Sequence, residues 1–129
     1  MGHKCKGLIL HCIDFRLGVT IKDYLDKQNL IGDIDIVSIA GGVKDLDYAM
    51  KQIEISERLH GISEIILMNH TDCGAYGGRA AFGSDEEEME KHKVELMAAK
   101  KKINECYPNI TVKCVIAKIL GHGVEFENL

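Results

Sequence analysis

His70 and Cys73, an imidazole and a thiol three residues apart, follow directly on the apolar run Ile65-Ile66-Leu67-Met68. Both are metal ligands, and the pair could grip one ion. The same design occurs near the start of the chain, where Gly7-Leu8-Ile9-Leu10 runs into His11-Cys12-Ile13-Asp14-Phe15-Arg16. Cys12, His70 and Cys73 together would make a soft donor set suited to zinc, with the fourth tetrahedral position left to water. An open site of that kind is catalytic in design, because zinc lowers the pKa of bound water to about 7 and so makes hydroxide near neutral pH. Asp14 and Arg16 lie two and four residues beyond Cys12, close enough to face the ion together. A carboxylate there would orient the hydroxide through a hydrogen bond, and a guanidinium would hold the carboxylate in a two-pronged grip. Asp14 could instead bind the metal and close the site; spacing alone leaves both readings open.

The donors meet only if the two apolar runs are adjacent parallel strands whose carboxyl ends share a crevice, the place where open α/β sheets bind ligands. Consecutive apolar residues suit strands buried on both faces. After the first strand, Thr20-Ile21-Lys22-Asp23 reads as a weak capping box opening a helix to about Asn29. Residues 34–39 alternate and are β-branched, a second strand closed by Ala40-Gly41-Gly42. Helical spacing of Leu46, Ala49, Met50, Ile53 and Leu59 marks a helix from Lys44 to His60, with Gly61 as its stop. A third strand, 64–69, leads into the glycine-rich loop 74–83. Ser84 and Glu87 form a capping box for a helix that buries Met89, Leu96 and Ile103 and stops before Pro108, and the acids Asp85 to Glu88 oppose its dipole. Residues 111–120 make a fourth strand; the last nine residues are left unassigned. The order predicts one domain over residues 1–129, α/β in class. It would have three αβα layers around a mainly parallel sheet of four or five strands, in the order 2-1-3-4.

At 129 residues the chain can bury roughly two thirds of its unfolded surface without disulfides. A formal net charge of −4 gives no electrostatic reason to expect nucleic acid. There is no membrane-spanning run, and only four apolar residues precede His11, too few for a signal-peptide core; the cytoplasm is the expected location. Five cysteines without an export signal suggest free thiols and metal ligands. Neither phosphate-binding glycine motif follows the first strand. His11 reads as a hydrogen-bonded histidine at a strand end, with proton transfer as the sharper alternative. His122 reads as a turn residue, Cys106 and Cys114 as packing, Lys100 to Lys102 as surface, and Asp85 to Glu90 as a solvated helix start rather than a calcium loop. Tyr76, Arg79 and Phe82 could line the pocket or anchor their loop.

The pattern resembles the β-class carbonic anhydrases, whose C-x-D-x-R after the first strand is matched by Cys12-Ile13-Asp14-Phe15-Arg16. Their H-x-x-C-G after the third strand is matched by His70-Thr71-Asp72-Cys73-Gly74. The resemblance runs from residue 7 to about residue 120. It implies Zn2+ on Cys12, His70 and Cys73, an Asp14–Arg16 dyad, and reversible hydration of carbon dioxide to bicarbonate in a homodimer or higher homo-oligomer. The family's R-N-A-G-N segment corresponds to Ser38-Ile39-Ala40-Gly41-Gly42, which puts Ala40, Gly41 and Gly42 beside the substrate, with Ile13 and Phe15 enclosing it by apolar burial. Departures are Phe15 in place of the usual serine and an opening directly on the first strand, a short form without the typical N-terminal helical arm. Two alternatives keep the metal: hydrolysis of carbonyl sulfide or carbon disulfide, and a non-catalytic zinc module closed by Asp14.

Overall fold

The structure, a computed structural model, describes residues 2–129. Five strands form one sheet: β1 (Gly7–His11), β2 (Ile34–Ser38), β3 (Glu64–His70), β4 (Thr111–Leu120) and β5 (Gly123–Asn128), in the order β2-β1-β3-β4-β5. The first four are mutually parallel, and β5 returns antiparallel to β4 as a hairpin. The expected 2-1-3-4 core is therefore present, and the unassigned last residues extend it by one edge strand. β1 lies between β2 and β3, with Leu10 opposite Leu67, so the segments that leave their carboxyl ends emerge side by side.

Three helices cover the sheet: α1 (Gly18–Lys27), α2 (Leu46–His60) and α3 (Asp85–Cys106). Alternate residues of each central strand serve opposite layers, which is why the strands read as unbroken apolar runs. Leu8, Leu10, Ile65 and Leu67 pack with Ala49 and Ile53 of α2 and Leu96, Ala99 and Ile103 of α3. Ile9, Ile66 and Met68 pack on the other face with Ile21 and Leu25 of α1, while Phe126 of β5 closes over Tyr24 at 4.8 Å between ring centroids.

Two helix starts differ from the sequence reading. α1 begins at Gly18 out of a 3-10 turn, Phe15–Leu17, that Asp14 caps by accepting from the Arg16 amide; Thr20 lies inside the helix and donates to Leu17 O at 3.1 Å. The capping box at 20–23 does not form, because the turn feeds the helix directly. α2 starts at Leu46 with Asp45 as its cap, since Gly42–Asp45 is used up in another 3-10 turn, and it ends at Gly61 in the left-handed conformation as expected. At α3, Ser84 caps the Glu87 amide at 3.1 Å, and Glu87 reaches back to Gly83 N at 2.9 Å. Met89 is only half-buried; Glu88 and His92 share the inward stripe with Leu96. No helix among the described residues is long and apolar enough to cross a membrane.

Candidate metal centre

Cys12 stands one residue past β1, His70 ends β3, and Cys73 sits in the turn beyond it. One donor atom from each lies within 4.8 Å of the others, and all three residues are buried. The two sulfurs are 3.9 Å apart, and Cys12 Sγ accepts from Gly41 N at 3.4 Å. His70 donates through Nδ1 to Thr71 O at 2.7 Å, which fixes the tautomer and leaves the lone pair on Nε2. That nitrogen is buried and has no hydrogen-bond partner. A buried ring nitrogen left unsatisfied beside two thiols is costly unless a cation takes its lone pair. The residues therefore fit zinc in donor type, number and orientation.

The sulfurs also behave as a pair. The hydrogen bond between them, against the opposing effect of burial, pulls the Cys12 thiol down, and the same bond together with burial pushes Cys73 up. One thiolate beside the other raises the cost of ionising both, and a cation bound between the sulfurs would offset that cost.

Asp14 borders this cluster without joining the close donor group, its Oδ2 lying 3.8 Å from His70 Nε2. Arg16 holds it from two sides, Nε to Oδ1 at 3.0 Å and Nη2 to Oδ2 at 2.8 Å, with the Arg16 amide on Oδ1 at 2.8 Å. The hydrogen-bonded guanidinium keeps the carboxyl low, at about 2. The same guanidinium crosses to the turn after β3, donating to Asp72 Oδ2 at 3.0 Å and Asp72 O at 2.9 Å.

Asp72 takes a left-handed backbone, φ 54°, and is held there on three sides. Its amide donates to Glu88 Oε2 at 2.7 Å, and its Oδ1 accepts from Arg79 N at 2.8 Å. Arg79 in turn donates to Ile119 O at 2.9 Å and lies 3.8 Å from Glu88. Glu88 is thus a buried strut under the site rather than part of a solvated helix start, which corrects the sequence reading. Arg79 and Tyr76 anchor their loop: Tyr76 Oη accepts from Asn69 Nδ2 at 3.2 Å and its ring stands edge-on to His92 at 4.9 Å.

Asn69, next to His70 on β3, also accepts from Val43 N at 3.2 Å and donates to His92 Nδ1 at 3.1 Å. The glycine segment is shaped to this contact. A Cβ on Gly42, where φ is +57°, would sit 2.6 Å from Asn69 Oδ1, and one on Gly41 would sit 2.9 Å from Lys44 Cβ. Gly41 and Gly42 therefore lie against the donor cluster, with Ala40 exposed at its rim. Ile13 and Phe15, expected to enclose a substrate, are 63% and 88% exposed, because the loop after Cys12 carries them outward. Within one chain they enclose nothing. His11 is buried and donates to Cys12 O at 2.8 Å, as a hydrogen-bonded strand-end histidine should, and His122 sits exposed at the β4–β5 turn.

A family model described as "Putative carbonic anhydrase" matches residues 2–119. The chain belongs to that carbonic anhydrase family. An uncharacterised protein of Rickettsia bellii is 36% identical over 123 residues, 85% of this chain and 74% of that one. Beta-carbonic anhydrase 1 of Mycobacterium tuberculosis is 39% identical over 66 residues, covering 51% of this chain and 37% of that relative. Among solved structures, a carbonic anhydrase from Streptococcus mutans superposes with TM-score 0.66 at 23% identity over 97% of this chain and 82% of that one. One from Glaciozyma antarctica gives 0.67 at 17% over 98% and 83%. These two likenesses show the fold.

Asn69, Asp72, Glu88 and His92 were not singled out from the sequence of this carbonic anhydrase family member. Glu88, His92 and Leu96 recur at intervals of four on one face of α3, and that spacing was the available signal.

Proposed function

We propose that this chain is a zinc-dependent carbonic anhydrase that reversibly hydrates carbon dioxide to bicarbonate. The observation that carries the reading is the double grip of Arg16 on Asp14. A carboxylate engaged at both oxygens is kept beside the donor cluster as a hydrogen-bond acceptor, and this favours a catalytic site over a zinc module closed by Asp14.

Cys12, His70 and Cys73 would hold the zinc. When bound, zinc supplies a hydroxide nucleophile near neutral pH. Asp14, ionised and an acceptor only, would orient the nucleophile by accepting its hydrogen bond beside the cluster. Arg16 keeps Asp14 ionised and fixed. The Gly41 amide stabilises negative charge on Cys12 Sγ, and the absence of side chains at Gly41 and Gly42 lets their backbone pack directly against Asn69 and the donor cluster. The net reaction would consume carbon dioxide and one water and yield bicarbonate and one proton, the proton leaving to solvent. A second copy of the chain covering Ile13 and Phe15 would complete the apolar wall.

Stopped-flow carbon dioxide hydration from neutral to alkaline pH, on protein with zinc measured in the same preparation, tests this. Hydration that scales with zinc content is the expected result. Full zinc occupancy without hydration at any pH would overturn it and leave a metal site with another substrate or a structural role.

A further inference from the structure

The opposite end of the sheet carries a second group of ligating side chains. Cys5 lies just ahead of β1, Asp35 is the second residue of β2, and His60 is the last residue of α2. One donor atom from each lies within 4.8 Å of the others. At the usual strand rise this group is roughly 20 Å from Cys12, since the whole of β1 lies between.

The backbone sets the positions. Cys5 N donates to His60 O at 3.3 Å, Lys6 N to Asp33 O at 3.0 Å and Ser63 N to Lys6 O at 2.9 Å, so the segment before β1 is stitched to the end of α2 and the start of β2. The side chains are oriented as well. His60 Nδ1 is 2.6 Å from Asp35 Oδ2, and Ser56 Oγ donates to the same oxygen at 2.6 Å. His3 stands edge-on to His60 with ring centroids 5.1 Å apart.

A histidine paired with an aspartate at a helix end would by itself be an ordinary ion pair. The pair alone does not account for a thiol brought to the same point, where Cys5 N donates to His60 O and Cys5 Sγ to Gly7 O at 3.5 Å, with a further imidazole alongside. One sulfur, one carboxylate and one imidazole, with the exposed His3 ring in reach beside them, form a mixed donor set suited to zinc, and thiolate and carboxylate together balance a divalent charge. All three core donors are partly exposed, and a cleft lined by Gln52, Ile55, Ser56 and His60 opens beside them, so an ion can enter from solvent.

We propose that Cys5, Asp35 and His60 bind a zinc ion at a second site separate from the Cys12 centre, the exposed His3 ring turning in from beside His60 as fourth ligand. Four protein donors close the coordination shell, which makes the site structural: it clips the residues before β1 to β2 and α2.

The test is zinc stoichiometry. Chelator-stripped protein is dialysed against zinc and analysed for metal, alongside Cys5→Ser, His60→Gln and a Cys12→Ser/Cys73→Ser variant. Two zinc ions per chain are expected in the unaltered protein, and one in each of the three variants. Cobalt substitution gives a second readout, because the thiolate-to-cobalt absorption should fall by about one third in Cys5→Ser, from three thiolates to two. If Cys5→Ser does not fold, His60→Gln carries the stoichiometry test. Unchanged zinc content in both Cys5→Ser and His60→Gln would overturn the proposal, whatever the count at the Cys12 centre. Loss of one equivalent in either, with the Cys12 centre still loaded, would sustain it.

Discussion

Asp14 is tied through both oxygens to a single guanidinium, so its contribution rests on being an acceptor and nothing else. Asp14→Asn puts an amide donor into that position and removes half of the Arg16 grip. Zinc content should be retained and hydration should fall about 10- to 100-fold, the usual range for a residue that orients a metal site from its margin. An unchanged rate at full occupancy would take Asp14 out of the mechanism. Gly42 is constrained differently, by space. Gly42→Ala would force a Cβ to 2.6 Å from Asn69 Oδ1 on a left-handed backbone. A loss of about 1–3 kcal/mol in urea unfolding is expected, and a change within a few tenths would show that the segment can shift aside.

At the level of elements, α3 supports the site through polar residues that a hydropathy pattern assigns to the surface. His92 is fully buried, and burial holds its ring down to about 4 from an ordinary 6.5. The unfolded chain takes up that proton at higher pH than the folded one. The stabilisation is therefore complete above pH 6.5 and is lost as pH falls towards 4, by about 3 kcal/mol in all. Unfolding free energies measured across that range should slope more steeply in the parent than in His92→Gln; equal slopes would show that His92 is not held neutral. The strands were legible because burial on both faces writes them as unbroken apolar runs, and the donors at their ends were legible because ligand types followed those runs. Glu88, His92 and Asn69 were not, since each owes its burial to a partner distant in sequence. β5 was missed for a similar reason: Val124 and Phe126 alternate with acids over only a few residues, and what holds them is pairing with β4 and the Tyr24 ring. Thr20 was misread because a capping signature is local, whereas α1 starts where the Asp14 turn delivers it.

At the scale of the whole molecule, the loop after Cys12 and the start of α1 turn large apolar side chains to solvent. Ile13, Phe15 and Val19 are 63%, 88% and 74% exposed, and Ile36 on edge strand β2 is 57% exposed. Exposed apolar side chains gathered there suit the proposed contact with a second copy of the chain. If two copies pair through this face, as proposed, Phe15→Glu should turn the dimer into a monomer in sedimentation velocity with little change in chain stability, and should lower hydration with it; a variant that sediments as the parent does would remove this face from the interface. The sheet order has one more effect. Cys12 and Cys73 are 61 residues apart in the chain and meet only because β1 and β3 lie side by side. An ion bound to both sulfurs would tie together the ends of a long loop, and because it binds the folded site and not the open chain, its binding free energy would add to folding stability. Resistance to heat or protease would then depend on the chelator in the buffer as much as on the hydrophobic core.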